Sequence, residues 1–378
     1  MAYLTGIACT PFGRHEGVTA LSLMSVAARD ALRDAQMETT QIDGLLTGYA
    51  TTFPHLMLAN VVAEHLGIQP DYCHAIQSGG ASGLTMVMLA RELIRSGRCK
   101  NVLCVAGENR LTGQTRDMAI QALSQVGQID YEVPFGPTVP AYYALLAARY
   151  LHEHGLDEAD LAEFAVLMRN HASAHPGAHQ RDSIDVNAVL NSKIISSPLK
   201  LLDCCPISDG AAAVVVSLDP TTPKTIRIRG AGQAHHHQHV SQIKDIHATG
   251  AKAAADLAFR EAHIDRGQIE YLGIYDSFTI TLMLLLEEIG FAARGEAAMK
   301  VRNGDFSAQG SLPLNTHGGL LSYGHCGVAG GMAHLVEVVL QLSGNAGARQ
   351  ISECEWAYVH ADGGVMSAHV GLILQRER

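Results

Sequence analysis

The sequence has no run of lysine and arginine, and its 378 residues carry a formal net charge of −10. Nucleic acids and anionic membranes need a positive face, so neither is an expected partner; a small organic substrate or another protein fits better. Long apolar runs are missing too: the strongest, Ile280 to Leu286, stops at Glu287 and Glu288, well short of the roughly 20 residues that cross a bilayer. The opening MAYLTGIACTPFGR lacks a basic segment before an apolar stretch and lacks a small-residue cleavage site, so no secretory signal is expected. The eight cysteines, at 9, 73, 99, 104, 204, 205, 326 and 354, form no CxxC pair and no zinc-like spacing, which fits reduced thiols in the cytoplasm.

Charged residues make up only 17% of the chain, against 47% hydrophobic residues and 37 glycines. That balance implies sheets covered on both faces, rich in parallel strands and with tight backbone approaches. The length suits two units of about 150 to 200 residues.

Those units look alike. Ala31 to Asp43 (ALRDAQMETTQID) aligns without a gap with Ala258 to Glu270 (AFREAHIDRGQIE). Both read as the end of an amphipathic helix, a turn and the lead into a strand. A glycine-bearing strand precedes each copy, YLTGIA at 3–8 and IRIRGA at 226–231, and a glycine-rich turn opening a helix follows each, at 79–97 and 324–344. The turn-rich stretch 217–225 separates the halves, placing an N-terminal half at 1–220, with an inserted loop region at about 110–200, and a C-terminal half at 221–378. Two such halves sharing a helical layer predict a duplicated five-layer α/β/α/β/α fold.

Several long motifs, ordered along the whole chain, resemble the thiolase superfamily, in particular its sterol-carrier-protein thiolase branch. They are SGGASG at 78–83, SPLKLLDCCPISDGAAAVVV at 197–216, YDSFTITLMLLLEEIGF at 275–291, LPLNTHGGLLSYGHCGVAGG at 312–331 and HADGGVMSAH at 360–369. The resemblance implies the same five-layer fold. It also places the family's nucleophilic cysteine at Gly80, so the nucleophile is missing. The cysteine of the family's CxG motif is replaced by His360, with Asp362 in place of the glycine, and the asparagine of the NEAF motif is replaced by Tyr275. The GHP histidine is kept as His325, its proline becoming Cys326.

Histidine can move protons near neutral pH, and a tyrosine can donate to a developing oxyanion. The expected catalytic residues are therefore His325, Tyr275 and His360. Gly80, Ser82, Asn315, His317 and Gly364 are expected to line the substrate, with Asn315 and His317 bracing His325. Asp276 reads as a cap of the following helix. The run HHHQH at 235–239 reads as a loop near the substrate entrance, since consecutive side chains do not converge on one ion, and Cys204 and Cys205 as packed thiols. No metal and no cofactor are expected; a coenzyme A thioester is the implied substrate.

Without a cysteine at position 80, transfer through an enzyme thioester is hard to write, whereas holding an enolate needs no covalent link. The site suits non-covalent retro-aldol or aldol chemistry on a β-hydroxyacyl-CoA of lipid or sterol side-chain type, as in the thiolase-like aldolases that this sequence resembles. Alternatives are an acyltransferase of acetyl-CoA acetyltransferase type, using Cys326 or direct transfer, and a non-catalytic lipid or CoA-binding scaffold. The family resemblance further implies a homodimer and a small OB-fold partner with a zinc ribbon, with 280–291 and Pro134 to Pro140 as contact surfaces.

Overall fold

A computed structural model describes residues 1–220 and 225–377. The first half runs β1 (Tyr3–Cys9), α1 (Ala20–Asp34), β2 (Gly44–Gly48), α2 (Leu58–Leu66), β3 (Tyr72–Ile76), α3 (Ser82–Arg95) and β4 (Asn101–Asn109). The region expected as an inserted loop is mostly helical: α4 (Arg116–Ser124), α5 (Val139–His154), α6 (Glu158–Ser173) and α7 (Val186–Leu190). A small hairpin, β5 (Ile194–Ser196) with β6 (Leu199–Lys200), then leads to β7 (Asp209–Ser217). The second half comprises β8 (Ile226–His235), α8 (Ala251–Ala262), β9 (Tyr271–Ile274), α9 (Thr279–Ile289), α10 (Ala297–Arg302), α11 (Val328–Leu342), β10 (Trp356–Gly363) and β11 (Ala368–Arg376). Residues 221–224 of the expected joining stretch lie outside the described residues.

Nine strands are hydrogen-bonded in the order β3-β2-β4-β7-β1-β8-β11-β10-β9. The halves touch edge to edge at Tyr3 with Arg227 and Leu4 with Ile226. The sheet is mixed rather than parallel-rich. Only β2–β3, β2–β4 and β9–β10 are parallel, whereas β1–β7, β4–β7, β10–β11, β8–β11 and β1–β8 are antiparallel. The β10–β11 link is a short turn, which can only join antiparallel neighbours.

Strand periodicity sets the layers. Along β4, Val102, Cys104 and Ala106 enter one core and Leu103 and Val105 the other; along β7, Ala212, Val214 and Val216 separate from Ala211, Ala213 and Val215 in the same way. The second of these cores is closed by α1 and α2. Helices α3 and α11 pack on each other and on strands of both halves, so they form the middle layer, and α8 covers β8 and β11 on the far side.

The internal repeat is real in three dimensions. Gln36 and His263, equivalent in the alignment, both adopt left-handed backbone, with φ of 56° and 57°. Each is followed by a short 3-10 turn closed by a capping box, Glu38 with Gln41 and Asp265 with Gln268. A Cβ on Gly6 would lie 2.2 Å from the Ala31 carbonyl oxygen, and one on Gly230 would lie 2.1 Å from that of Ala258. In each half the same glycine lets a strand run against the same helix. The second half even keeps a trace of β3, a parallel bridge between Leu272 and Leu314.

Candidate active site

The middle layer brings two glycine-rich turns together. Between β3 and α3, Gly79 adopts φ 60°, and the Ser82 hydroxyl closes the turn by accepting from Ser78 N–H at 2.8 Å and donating to the Gly79 carbonyl at 2.7 Å. Ser82 is fully buried and so builds the turn, instead of facing a substrate. The next residue to Gly79 is Gly80, where a Cβ would lie 2.2 Å from Tyr275 Oη and 2.5 Å from the Asp362 carbonyl oxygen. The tyrosine hydroxyl thus fills the space into which any side chain at 80 would project.

Tyr275 is placed there by Asn315. At the end of β9 the Asn315 side chain accepts from Ile274 N–H at 2.8 Å and donates to the Ile274 carbonyl at 2.7 Å, acting like one more strand residue. Asn315 therefore braces the backbone that carries Tyr275, and not His325 as expected. His317 does not reach His325 either: its ring packs edge-on against Tyr323 and His334, with centroids 5.3 and 4.9 Å away.

Tyr275 Oη lies 3.0 Å from His325 Nε2, and Gly327 N–H donates to His325 Nδ1 at 3.2 Å. An Nδ1 that accepts leaves the proton of the neutral ring on Nε2, so Nε2–H donates to the phenol oxygen. Burial, followed by the nearby Arg110 charge, lowers the His325 pKa to about 3, which keeps the ring neutral. Burial, followed by the Asp362 charge, raises the Tyr275 phenol well above its ordinary range. The phenol therefore keeps its own proton, which is free to point at a substrate oxygen.

The His325 turn is held from both sides. Its N–H donates to the Pro206 carbonyl at 3.0 Å and its carbonyl accepts from Ser208 N–H at 3.1 Å. Asp276 does not cap α9; its carboxylate accepts from Leu320 N–H at 2.7 Å and faces His334 Nε2 at 3.2 Å. Leu320 belongs to the single π turn, Gly319–Tyr323, that leads into Gly324 and His325. Neighbouring residues 275 and 276 thus contact the histidine and anchor the turn that presents it.

A second polar group lies beside the first. His369 Nε2 bonds the Met366 carbonyl at 2.9 Å, so His369 Nδ1 accepts from His360 Nε2–H at 3.2 Å. No hydrogen bond joins His360 to Tyr275 or His325; its other nitrogen, Nδ1, is buried without a partner. Burial, then His369, holds the His360 pKa well below normal. Asp362 accepts from the Tyr143 hydroxyl at 3.2 Å through Oδ2, while Oδ1 has no partner, and burial pushes its carboxyl well above the usual range. Gly364, at φ 72°, packs its N–H within 2.7 Å of where a Cβ of Gly79 would stand, so Gly80, Gly364, Tyr275 and His325 share one small region.

Three participants escaped sequence reasoning. Arg110, just past the end of β4, pairs with Glu108 at 3.1 Å and interacts electrostatically with Tyr275 and His325; the signal was GENR, two opposite charges closing an apolar strand. Tyr143 comes from α5 in the region read only as an insertion, and Asp362 was noted solely as a replaced glycine. The histidine run 235–239 binds locally, with His237 Nε2 at 3.1 Å from the Val365 carbonyl, which lies beside Gly364.

Residues 2–219 match the family "Thiolase, N-terminal domain", and residues 232–376 match "Thiolase C-terminal domain-like". The chain belongs to the thiolase superfamily. Among relatives of this thiolase-superfamily chain, the "Steroid side-chain-cleaving aldolase" of Thermomonospora curvata is 32% identical over 399 residues, covering 100% of this chain and 98% of the relative. The "Acetyl-CoA acetyltransferase" of Methanothermobacter thermautotrophicus is 29% identical over 376 residues, covering 97% of each. The solved "Ltp2-ChsH2(DUF35) aldolase" superimposes with a TM-score of 0.86 at 30% identity, covering 100% of this chain and 98% of that one. These matches agree with the expected α/β thiolase fold and with a superfamily that contains both carbon–carbon lyases and acyltransferases.

Proposed function

We propose that the chain cleaves, or in reverse forms, the carbon–carbon bond of a β-hydroxyacyl-CoA by a retro-aldol route without an acyl-enzyme. The observation that carries this reading is the Tyr275 hydroxyl, 2.2 Å from the place of a Cβ at position 80 and 3.0 Å from His325 Nε2. A proton donor stands where the superfamily resemblance puts a nucleophile.

As the bond between the α and β carbons breaks, the β-hydroxyl loses its proton, the β carbon becomes a carbonyl, and the electron pair passes into a thioester enolate. Tyr275 donates its free proton to that enolate, with His325 Nε2–H supporting the phenol oxygen as negative charge gathers on it. The 3.0 Å contact supports a paired donor here, with His325 standing behind Tyr275. His360 Nδ1 is an unpartnered buried acceptor nearby and suits the group that takes the hydroxyl proton. The acyltransferase alternative is weakened at Cys326, which is fully enclosed and whose thiol burial pushes well above the ordinary range, so the nucleophilic thiolate is scarce.

The aldolase relatives support a sterol-like or other lipid acyl group, and the named complex supports a second protein as partner. The expected contact segment 280–291 offers little surface, because every residue of α9 is buried and of the last two residues only Gly290 is exposed. The segment around 129–135 is suited to it: Ile129, Tyr131 and Phe135 are 74%, 70% and 86% exposed, an apolar surface of the kind that partners cover. We place the small OB-fold partner there. No helix among the described residues is long and apolar enough to cross a membrane.

The test is cleavage of a β-hydroxyacyl-CoA panel, with the partner supplied, by the wild type and by Tyr275→Phe and His325→Ala. Loss of an oxyanion donor costs about 10²- to 10³-fold in kcat; full activity in both variants, or a stable acyl adduct by intact mass, overturns the assignment.

A further inference from the structure

We propose that Glu153, His154 and His247 bind a divalent transition-metal ion, zinc being the expected one, that clamps the loop 236–250 to the end of α5. One ligand atom from each of these residues lies within 4.8 Å of the other two. Glu153 Oε2 and His247 Nε2 share a hydrogen bond at 3.2 Å, a spacing close to the roughly 3.3 Å that separates two ligands about 2.0 Å from a tetrahedral ion. An ion replacing the shared proton would need little movement along that edge of its coordination polyhedron.

The remaining geometry fits the same reading. His154 Nε2 is buried and has no hydrogen-bond partner, and the His247 side chain is only 10% exposed. The two imidazoles meet edge to face, 5.2 Å between centroids at 89°, so they do not stack, as paired ligands around one centre do not. Tyr150 packs on both rings and is itself fixed by its hydroxyl bond to Glu287 at 2.7 Å. Arg149 holds the other carboxylate oxygen of Glu153, Oε1, leaving Oε2 to face His247. Two imidazoles and one carboxylate are a zinc set with a fourth position left for water. By contrast, the histidines at 235–239 form no converging cluster among the described residues.

The consequence lies in the loop. His247 closes a segment whose His237 bonds the Val365 carbonyl and whose Gln238 reaches Ser367, both next to the Gly363–Gly364 turn of the candidate active site. An ion at Glu153, His154 and His247 would fix how that loop borders the substrate entrance. This inference stands independently of the retro-aldol reading.

The experiment uses the full chain, stripped with a chelator and titrated with zinc by isothermal calorimetry, with bound metal counted by mass spectrometry. One zinc per chain is expected. Affinity should fall more than about a hundredfold in His154→Gln and in His247→Gln, since removing a ligand costs at least as much as removing a group that merely orients one. Cobalt(II) bound to the unmutated chain should show the intense visible bands of a four-coordinate ion, a readout that needs no variant to fold. The proposal is overturned if the wild type takes up no stoichiometric zinc, if its cobalt spectrum is that of a hexa-aquo ion, or if uptake survives both substitutions; its disappearance in a His235→Gln, His236→Gln, His239→Gln triple variant would then move the site to the histidine run.

Discussion

Position 80 shows how one residue decides a reaction type. A glycine there is legible in the sequence as a missing nucleophile, but its positive reason is not: only the structure shows a tyrosine hydroxyl in the vacated volume. Gly80→Ala should therefore displace Tyr275, destabilise the protein by about 1–3 kcal/mol as an overpacked site does, and cut kcat more than it raises KM. Gly80→Cys should fare no better and should give no acyl adduct; recovery of acyl transfer on labelled acyl-CoA would show that the pocket still accepts a thiol. Asp362 makes a second residue-level prediction. Its folded carboxyl keeps a proton to higher pH than the unfolded one, so the unfolded state ionises first and stability falls as pH rises above the unfolded pKa. Asp362→Asn removes that loss. Its unfolding free energy, from urea titrations at a series of pH values, should gain on the wild type's as pH rises above the unfolded carboxylate pKa, with a slope of at most about 1.4 kcal/mol per pH unit; parallel curves for the two proteins would contradict the raised pKa.

Elements explain which parts of the fold could be read in advance. The repeat was visible because the helix–turn–strand segment after each glycine-bearing strand is held by local rules, a left-handed residue and a capping box, that leave marks a few residues apart. Those marks predict matched behaviour. Gly6→Ala and Gly230→Ala both force a Cβ onto a helix carbonyl, at 2.2 and 2.1 Å, so each should cost about 2–3 kcal/mol, and calorimetry should find the two losses alike. Sequence was weaker where an element depends on a distant side chain. Asn315 and Asp276 were assigned to the wrong neighbours because their partners, Ile274 and Leu320, lie about 40 residues away along the chain and no periodicity links them. Asn315→Ala removes both bonds that square Tyr275 to the site and leaves the Ile274 N–H and carbonyl without that partner. It should lower stability by about 1–3 kcal/mol and lower kcat, with KM nearly unchanged.

At the scale of the whole molecule, the sheet has an unfinished end. Strand β3 pairs with β2 on one side only, and His74 and Ala75 in it are exposed. An edge of unpaired backbone groups invites another strand, and monomeric proteins usually protect it with charge or proline; Tyr72–Ile76 contains neither a lysine nor a proline. Should the chain form the homodimer that the family resemblance implies, this edge can serve it as the isologous contact that a twofold axis requires. It would leave the apolar surface around Phe135 free for a different protein. The two contacts then separate by mutation: Ala75→Lys should convert a dimer to a monomer in analytical ultracentrifugation while preserving capture of the OB-fold partner, and Phe135→Ser should do the reverse. If Ala75→Lys leaves the sedimentation coefficient unchanged, the edge of β3 is not the dimer contact, and the protection of that strand must come from elsewhere in the assembly.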